Sequence, residues 1–246
     1  MRLIRETIGY TLCLLADIFC RKPFIISLYF HDPSPKVFED VIKWCISHKY
    51  RFLDLDELYH IMIDRRRPVV ERVAFISFDD GWRSNLELLP IIEKYKVPIT
   101  IFVTTEPVVS GNYWWEYARA AYSRKDVERM KKLPYNIFRD KVSSLVKTRR
   151  LQRSSIDETE LKILMLHPLV SIQSHTVTHP ILINCDDETL ERELINSKKY
   201  LEDVSHNEIM AFSYPNGDVG EREVSAVKRA GYKLAFTTKA EKVVVG

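Results

Sequence analysis

Two short segments of this 246-residue chain carry side chains of the types that bind divalent metal ions in proteins. Asp79 and Asp80 stand side by side before Gly81, and His175 and His179 follow about 95 residues later, four positions apart. Two adjacent carboxylates repel each other unless a cation offsets their charge. Two neutral imidazoles and one carboxylate leave positions free on a divalent ion, which is the arrangement of a catalytic site. The sequence therefore predicts a metal centre from both histidines and one of the aspartates.

Each segment also has a plainer interpretation. The acidic pair could serve as the N-cap of a helix starting near Ser84, because acidic residues favour helix starts. A histidine is more often structural than a ligand. Pro180 disfavours helical backbone at His179, so the two histidines are expected on a strand end and the following loop. Zinc is the default ion, while cobalt, nickel, iron and manganese suit the same ligands, and this ligand set also occurs in non-haem iron oxygenases.

Seven predicted strands alternate with helices along the chain. A regular alternation of this kind indicates parallel strands with helical crossovers, and it predicts an α/β fold, a distorted (β/α)7 TIM-like barrel in one domain, 1–246. A helical insertion, 112–166, follows the fourth strand, and an N-terminal helix is predicted over 1–22. The strands are predicted at 24–30, 50–53, 72–78, 98–104, 169–173, 209–213 and 233–237. The main helices are predicted at 37–48, 55–66, 84–95, 187–203 and 219–229.

Polar residues follow four of these strands directly. They are His31 and Asp32, the acidic pair, His175, and the segment 214–217. Because the chemistry of parallel barrels sits at the C-terminal ends of the strands, these side chains are expected to meet at one rim.

The motifs F-D-D-G and H-T-x-x-H-P, in this order, resemble the first two motifs of the polysaccharide deacetylase family (carbohydrate esterase family 4). The segment 212–217 is similar to its third motif in the F-x-Y-P-x-G form of bacterial surface-polysaccharide deacetylases, and L-Y-F-H-D at 28–32 resembles its common start. The resemblance covers about 24–238. It implies a distorted (β/α) barrel and the removal of N-acetyl, or sometimes O-acetyl, groups from glycans.

The same resemblance implies a role for each matching residue. Asp80, His175 and His179 would bind the metal, and Asp79 would be the general base. The backbone N–H of Asn216 would stabilise the oxyanion. The other residues of the third motif would shape the turn and contact substrate; they are Tyr214, Pro215 and Gly217.

The chain departs from the family pattern at three places. Many members have an arginine where Ser213 stands and an aromatic residue where Asn216 stands. A late histidine acting as general acid has no counterpart, since the last histidine is His206. Either a C-terminal piece is missing or the leaving amine takes its proton from Asp79, from bound water or from His31.

Trp114 and Trp115 follow the fourth strand. Exposed aromatic rings at a rim stack on sugars, whereas buried ones would anchor the insertion to the barrel. Both interpretations are open from the sequence.

Positive charge is concentrated in the insertion. Residues 119–153 hold twelve Lys or Arg and three acidic residues, a local charge of +9 in a chain of net charge +3. This pattern fits either a solvated helical face or a surface for an anionic glycan, a lipid-linked phosphosugar or a membrane. Nucleic acid is not expected, because no recognised binding motif accompanies the charge.

The cysteines Cys13, Cys20, Cys45 and Cys185 lack metal-finger spacing and are expected as buried thiols in a reducing compartment. The apolar stretch 7–16 is too short to span a bilayer, and it favours an amphipathic helix on the domain or on a membrane over a signal peptide. A cytoplasmic location is therefore expected, either free or at the inner membrane face. An exported form is the open alternative.

The leading prediction is a metal-dependent deacetylase acting on N-acetylhexosamine units of a bacterial cell-surface polysaccharide or its precursor. The alternative is a non-catalytic glycan-binding protein of the same fold. Serine esterases, kinases and dehydrogenases lose support, since their motifs are missing.

Overall fold

Seven β-strands form one parallel sheet in the computed structural model, which describes residues 25–63 and 72–239. All seven predicted strands are confirmed within about two residues. The predicted N-terminal helix, with Cys13 and Cys20, lies outside the described residues. The strands are β1 (Ile25–Phe30), β2 (Tyr50–Leu53), β3 (Arg72–Asp80), β4 (Ile99–Val103), β5 (Val170–Ser174), β6 (Ala211–Ser213) and β7 (Leu234–Phe236).

Helices connect the strands, and several begin at a capping residue that the sequence supplies. Ser34 caps the helix that begins at Pro35, and Asp54 and Asp186 cap the helices that follow them through their side chains. The α-helices of the described residues are α1 (Pro35–Ser47), α2 (Leu55–Met62), α3 (Leu89–Tyr95), α4 (Thr105–Ser110), α5 (Trp114–Arg119), α6 (Arg124–Met130), α7 (Tyr135–Thr148), α8 (Glu158–Leu166), α9 (Asp187–Ser205) and α10 (Glu221–Arg229). Short 3₁₀ turns lie at Arg83–Leu88, Leu182–Asn184 and Pro215–Gly217.

Strand β3 is the centre of the sheet. It pairs with β1 from Val73 to Phe78, with β2 along its first four residues and with β4 along its last four, and the sheet then continues through β5 and β6 to β7. The Phe236 ring on β7 packs on Phe75 of β3 at 5.4 Å and on Phe102 of β4 at 5.0 Å between ring centroids. These contacts between distant strands show that the sheet is strongly curled, which confirms the predicted distorted barrel.

The inner face of the sheet changes character along β3. Side chains of a strand alternate between its two faces, so Phe75, Ser77 and Asp79 share the inner face while Phe78 packs with the outer helices. The inner face is therefore apolar at the N-terminal end and polar at the C-terminal end. This places polar groups where the predicted site lies.

The helical insertion is confirmed as helices α5 to α8 between β4 and β5. Part of it has a hydrophobic cluster of its own, which includes Trp114, Met130, Phe138 and Leu145. None of the helices in the described ranges is long and apolar enough to cross a membrane.

Replacement of Phe38 should test the packing of α1 on the sheet. Its buried ring contacts Phe30 at 5.8 Å and Phe78 at 5.4 Å. We expect Phe38→Ala to lower the free energy of unfolding by about 3–5 kcal/mol, the usual cost of such a cavity. Exposed Ile163→Ala is the control, with an effect of about 0.5 kcal/mol or less. Urea unfolding measures both, and equal losses would contradict this packing.

Candidate metal centre

The predicted site residues meet at the C-terminal edge of the sheet. Asp79 and Asp80 are the last two residues of β3, not residues after it, while His175 and His179 bound the loop that follows β5. The third-motif turn follows β6, and His31 follows β1. Four separate strands therefore deliver side chains to one place.

Backbone conformations in the left-handed region cluster at this site. Asp80, Thr176, His179 and Asn216 have φ values of 76°, 71°, 55° and 62°. The other non-glycine residues with positive φ in the described ranges lie at or beside helix C-termini; they are Lys49, Lys96 and His206. Such conformations cost about 1–3 kcal/mol each and persist only where the surroundings enforce them. The clustering therefore indicates that the surrounding structure holds these residues in conformations that they would not adopt on their own.

Ligand atoms of Asp80, His175 and His179 converge to within 4.8 Å of one another. Oδ1 of Asp80 lies 3.6 Å from Nε2 of His175 and 3.5 Å from Nε2 of His179. Two ligand atoms about 2.1 Å from a tetrahedral ion lie about 3.4 Å apart. These spacings suit a divalent ion better than direct hydrogen bonds, which are shorter.

Unpaired buried atoms provide an independent test of this fit. Asp80 Oδ1 is buried and has no hydrogen-bond partner among the described residues, and the same holds for His179 Nδ1. Oδ2 of Asp80 is occupied by the indole N–H of Trp82 at 2.9 Å. A buried carboxylate oxygen without a partner is costly. A cation between Oδ1 and the imidazoles would remove that cost, so the residues fit a divalent metal.

Hydrogen bonding and burial favour the neutral form of the two histidines, which is the form that binds metal. Nδ1 of His175 donates to the carbonyl of Ser213 at 2.8 Å, which leaves Nε2 free to coordinate. Burial lowers the pKa of His175 to about 4 and that of His179 well below its usual value. Both rings are therefore neutral near pH 7, as metal binding requires. Burial also raises the pKa of Asp80, because it disfavours the charged form of the carboxyl group.

Asp79 is buried beside the candidate metal ligands, but its carboxylate is not one of them. Burial raises the pKa of Asp79 to about 6, while the charge of His31 and a hydrogen bond with Ser213 act in the opposite direction. The residue that stands in place of the family's arginine thus contacts the candidate base.

The N-cap interpretation of the acidic pair is wrong. The 3₁₀ turn Arg83–Leu88 has Trp82 at its N-cap position and no side-chain cap. Ser84 instead donates its hydroxyl to Asp32 Oδ1 at 2.6 Å. The pair belongs to the site.

His31 lies at the rim of the site. The amide of Asn85 donates to its backbone carbonyl at 3.0 Å, and its charge acts on both Asp79 and Asp80. His31 is exposed and close enough to act electrostatically on both carboxyl groups, and its role in the chemistry stays a prediction.

The third-motif turn exposes one side chain. Asn216 is exposed, whereas Tyr214, Pro215 and Gly217 are buried. A Cβ at Gly217, where φ is +77°, would lie 2.0 Å from Thr238 Oγ1, so only glycine fits there. These three residues shape the turn, and the substrate contacts implied for them stay a prediction.

The sugar-stacking interpretation of Trp114 and Trp115 is also wrong. Both rings are about 95% buried, with exposures of 5% and 6%. The indole N–H of Trp114 donates to the carbonyl of His179 at 3.1 Å, and the Trp115 ring meets the His179 ring at 4.7 Å between centroids. Packing against the metal loop leaves no open face for a sugar, so these residues anchor the insertion to the site.

Sequence reasoning missed two residues at the site. Trp82 follows the F-D-D-G motif, and that adjacency was the available signal. Glu193 of α9 accepts hydrogen bonds from the loop between the histidines, and nothing in its local sequence marks it. Cys45 and Cys185 are buried, as expected.

Comparison with known proteins shows the family of this chain. The polysaccharide deacetylase family profile matches residues 66–235, and the chain belongs to that family. It is 26% identical over 214 residues to the poly-beta-1,6-N-acetyl-D-glucosamine N-deacetylase of Staphylococcus aureus, covering 87% of this chain and 63% of the relative. The chain spans about three fifths of the length of the curated relatives it matches.

Solved structures share the fold. The Streptococcus pyogenes deacetylase PplD has a TM-score of 0.64 and 20% identity, over 90% of this chain and 85% of that chain. IcaB from Ammonifex degensii has a TM-score of 0.64 and 16% identity, over 89% of this chain and 85% of that chain. The curled parallel sheet is therefore the fold of known deacetylases.

Removal of a ligand should abolish metal retention. We expect Asp80→Asn and His175→Ala to retain less than about a tenth of an equivalent of zinc after dialysis, because two ligands hold a divalent ion poorly. His206→Asn is the control, since His206 is exposed and asparagine tolerates its positive φ. Elemental analysis gives the metal content, and full retention by both ligand variants would exclude this site.

Proposed function

We propose that this chain is a metal-dependent deacetylase that hydrolyses the acetamide of N-acetylhexosamine units in a bacterial cell-surface polysaccharide or its precursor. The observation that carries the proposal is a buried, unliganded carboxylate, Asp79, directly beside the Asp80–His175–His179 cluster. Membership of the family and similarity to the Staphylococcus aureus N-deacetylase support the reaction class and the substrate.

Asp80, His175 and His179 would hold the ion. When bound, a divalent metal supplies a water whose pKa falls to about 7 and polarises the acetyl carbonyl. Zinc is the first choice for two nitrogens and one oxygen, and cobalt, nickel, iron and manganese suit the same donors.

Asp79 would act as the general base. Burial raises the pKa of Asp79 to about 6, and a raised pKa makes a carboxylate a stronger base for proton transfer. Its carboxylate would accept the proton of the attacking water, and the hydrogen bond with Ser213 would help to orient that carboxylate. Acetate and the free amine are the products.

Two more groups complete the proposed chemistry. The backbone N–H of Asn216, held in the left-handed turn, would donate to the oxyanion. The leaving amine needs a proton, and protonated Asp79 and rim-located His31 are the side chains in position to give one.

The acetate-release assay with Asp79→Asn tests this division of roles. We expect the variant to keep its metal and to lose activity by at least about 100-fold, the usual contribution of a general base. Ser213→Ala, which removes a supporting hydrogen bond only, should lose less. Full activity of Asp79→Asn would show that another group is the base.

A panel of N-acetylated oligosaccharides, each assayed with each metal restored, would define the substrate. Metal content below about a tenth of an equivalent in the purified protein, together with glycan binding and no acetate release, would favour the non-catalytic alternative. Acetate release without oxygen excludes the oxygenase alternative.

The basic insertion would contact an anionic group, such as the phosphate of a lipid-linked precursor at a membrane. The cations of segment 119–153 outnumber their ion pairs, which within the described residues join Arg129 to Asp126, Lys131 to Glu128 and Arg139 to Glu106. A location at the inner membrane face would suit that contact, and it stays a prediction.

Charge reversal tests the insertion surface. We expect Arg149→Glu with Arg150→Glu to weaken sedimentation with vesicles containing anionic lipid by about tenfold or more, since each nearby cation contributes about 1 kcal/mol. Exposed Lys36 and Lys228, both outside the insertion, provide a control double variant of equal charge change. Equal binding by the natural chain and by both double variants would show that the insertion is an ordinary solvated surface. Anionic glycan in place of lipid is the second ligand to test.

A further inference from the structure

The loop between His175 and His179 is held from one side by the start of α4. The backbone N–H of Thr105 donates to the carbonyl of Thr176 at 3.1 Å, and that of Glu106 donates to the carbonyl of Val177 at 2.8 Å. Two carbonyls of the loop are therefore satisfied by backbone groups next to β4.

The opposite side of the loop is held by one buried side chain, Glu193 of α9. Its Oε2 accepts the backbone N–H groups of Val177 and Thr178, both at 2.8 Å. Its Oε1 accepts the hydroxyl of Thr178 at 2.7 Å and that of Tyr135, from the insertion, at 3.1 Å. The carboxylate is 2% exposed, so these contacts are shielded from water.

All four partners of Glu193 are donors. An ionised carboxylate only accepts hydrogen bonds, so it matches this set with both oxygens used. Burial raises the pKa of Glu193, and the hydrogen bonds from Thr178, Val177 and Tyr135 oppose that effect. Charge-assisted bonds of this kind are stronger than neutral ones, which makes Glu193 the firmest anchor of the loop.

An anchor is needed because the loop is strained at two positions. Thr176 and His179 both have left-handed backbone, and the loop must still present both histidine rings to Asp80. We propose that Glu193 is a positioning residue of the metal centre: its carboxylate fixes the backbone between the two histidines so that both Nε2 atoms converge on Asp80. This inference rests on the metal site of the proposed function.

Cobalt titration measures this role without an activity assay, because Co²⁺ in a site of nitrogen and oxygen donors has visible absorption that depends on its coordination geometry. We expect Glu193→Ala to weaken Co²⁺ binding by about tenfold or more, as loss of supporting groups around metal ligands commonly does. Glu193→Gln keeps the shape and one acceptor oxygen, and should recover part of the affinity. If the alanine variant does not fold, the glutamine variant decides the question.

Glu223 provides the matched control. It is also buried, with 3% exposure, and its Oε2 accepts the backbone N–H of Gly220 at 2.9 Å, on α10. Glu223→Gln should lower Tm yet leave the Co²⁺ affinity and spectrum unchanged within about twofold. A general loss of stability is thereby separated from loss of positioning.

The outcomes separate the two proposals. Co²⁺ affinity and spectrum unchanged in both Glu193 variants, with normal binding by the natural chain, would overturn the positioning role. Failure of the natural chain to bind Co²⁺ would overturn the metal centre itself and this role with it. Normal Co²⁺ binding by the natural chain without acetate release from any substrate would overturn the deacetylase proposal alone. In that case, weaker Co²⁺ binding by Glu193→Gln than by the natural chain would still support the positioning role.

Discussion

The structure depends on one electrostatic constraint, the burial of Asp80 Oδ1 against two imidazole nitrogens. The atom has no hydrogen-bond partner within the described residues, and burial lowers the pKa of both facing histidines, so neutral rings give it no counter-charge. A buried anionic oxygen in such surroundings is unstable unless a cation joins it. The missing partner is therefore best supplied by a metal ion.

Much of the surrounding architecture serves to maintain that arrangement. Trp82 occupies the other carboxylate oxygen, Ser213 fixes the ring of His175, and Trp114 binds the carbonyl of His179. The helical insertion thus contributes to the site by packing against the metal loop. Strained backbone at Asp80 and His179 is tolerated because so many neighbouring contacts oppose its relaxation.

The sequence predicted the strands and the metal-binding cluster because both depend on local signals. Apolar β-branched runs between turn residues indicate strands, and the spacing of His175 and His179, with Asp80 at a strand end, indicates a shared ligand. Burial of Trp114 and Tyr214 was not predictable in this way, because an aromatic residue near a strand end can face solvent or the core. Only the fold decides which. Glu193 was missed for a similar reason: an acidic residue within a charged helix looks like surface until α9 is packed against the loop.

The most direct measurement of the central claim is the anomalous scattering of crystals grown with Zn²⁺, recorded on both sides of the zinc absorption edge. We predict one strong peak that lies about 2.0–2.1 Å from each of three atoms: Asp80 Oδ1, a ring nitrogen of His175 and a ring nitrogen of His179. Asp79 is expected to lie outside the coordination sphere. A peak elsewhere, no peak, or imidazole rings turned away from Asp80 would contradict it.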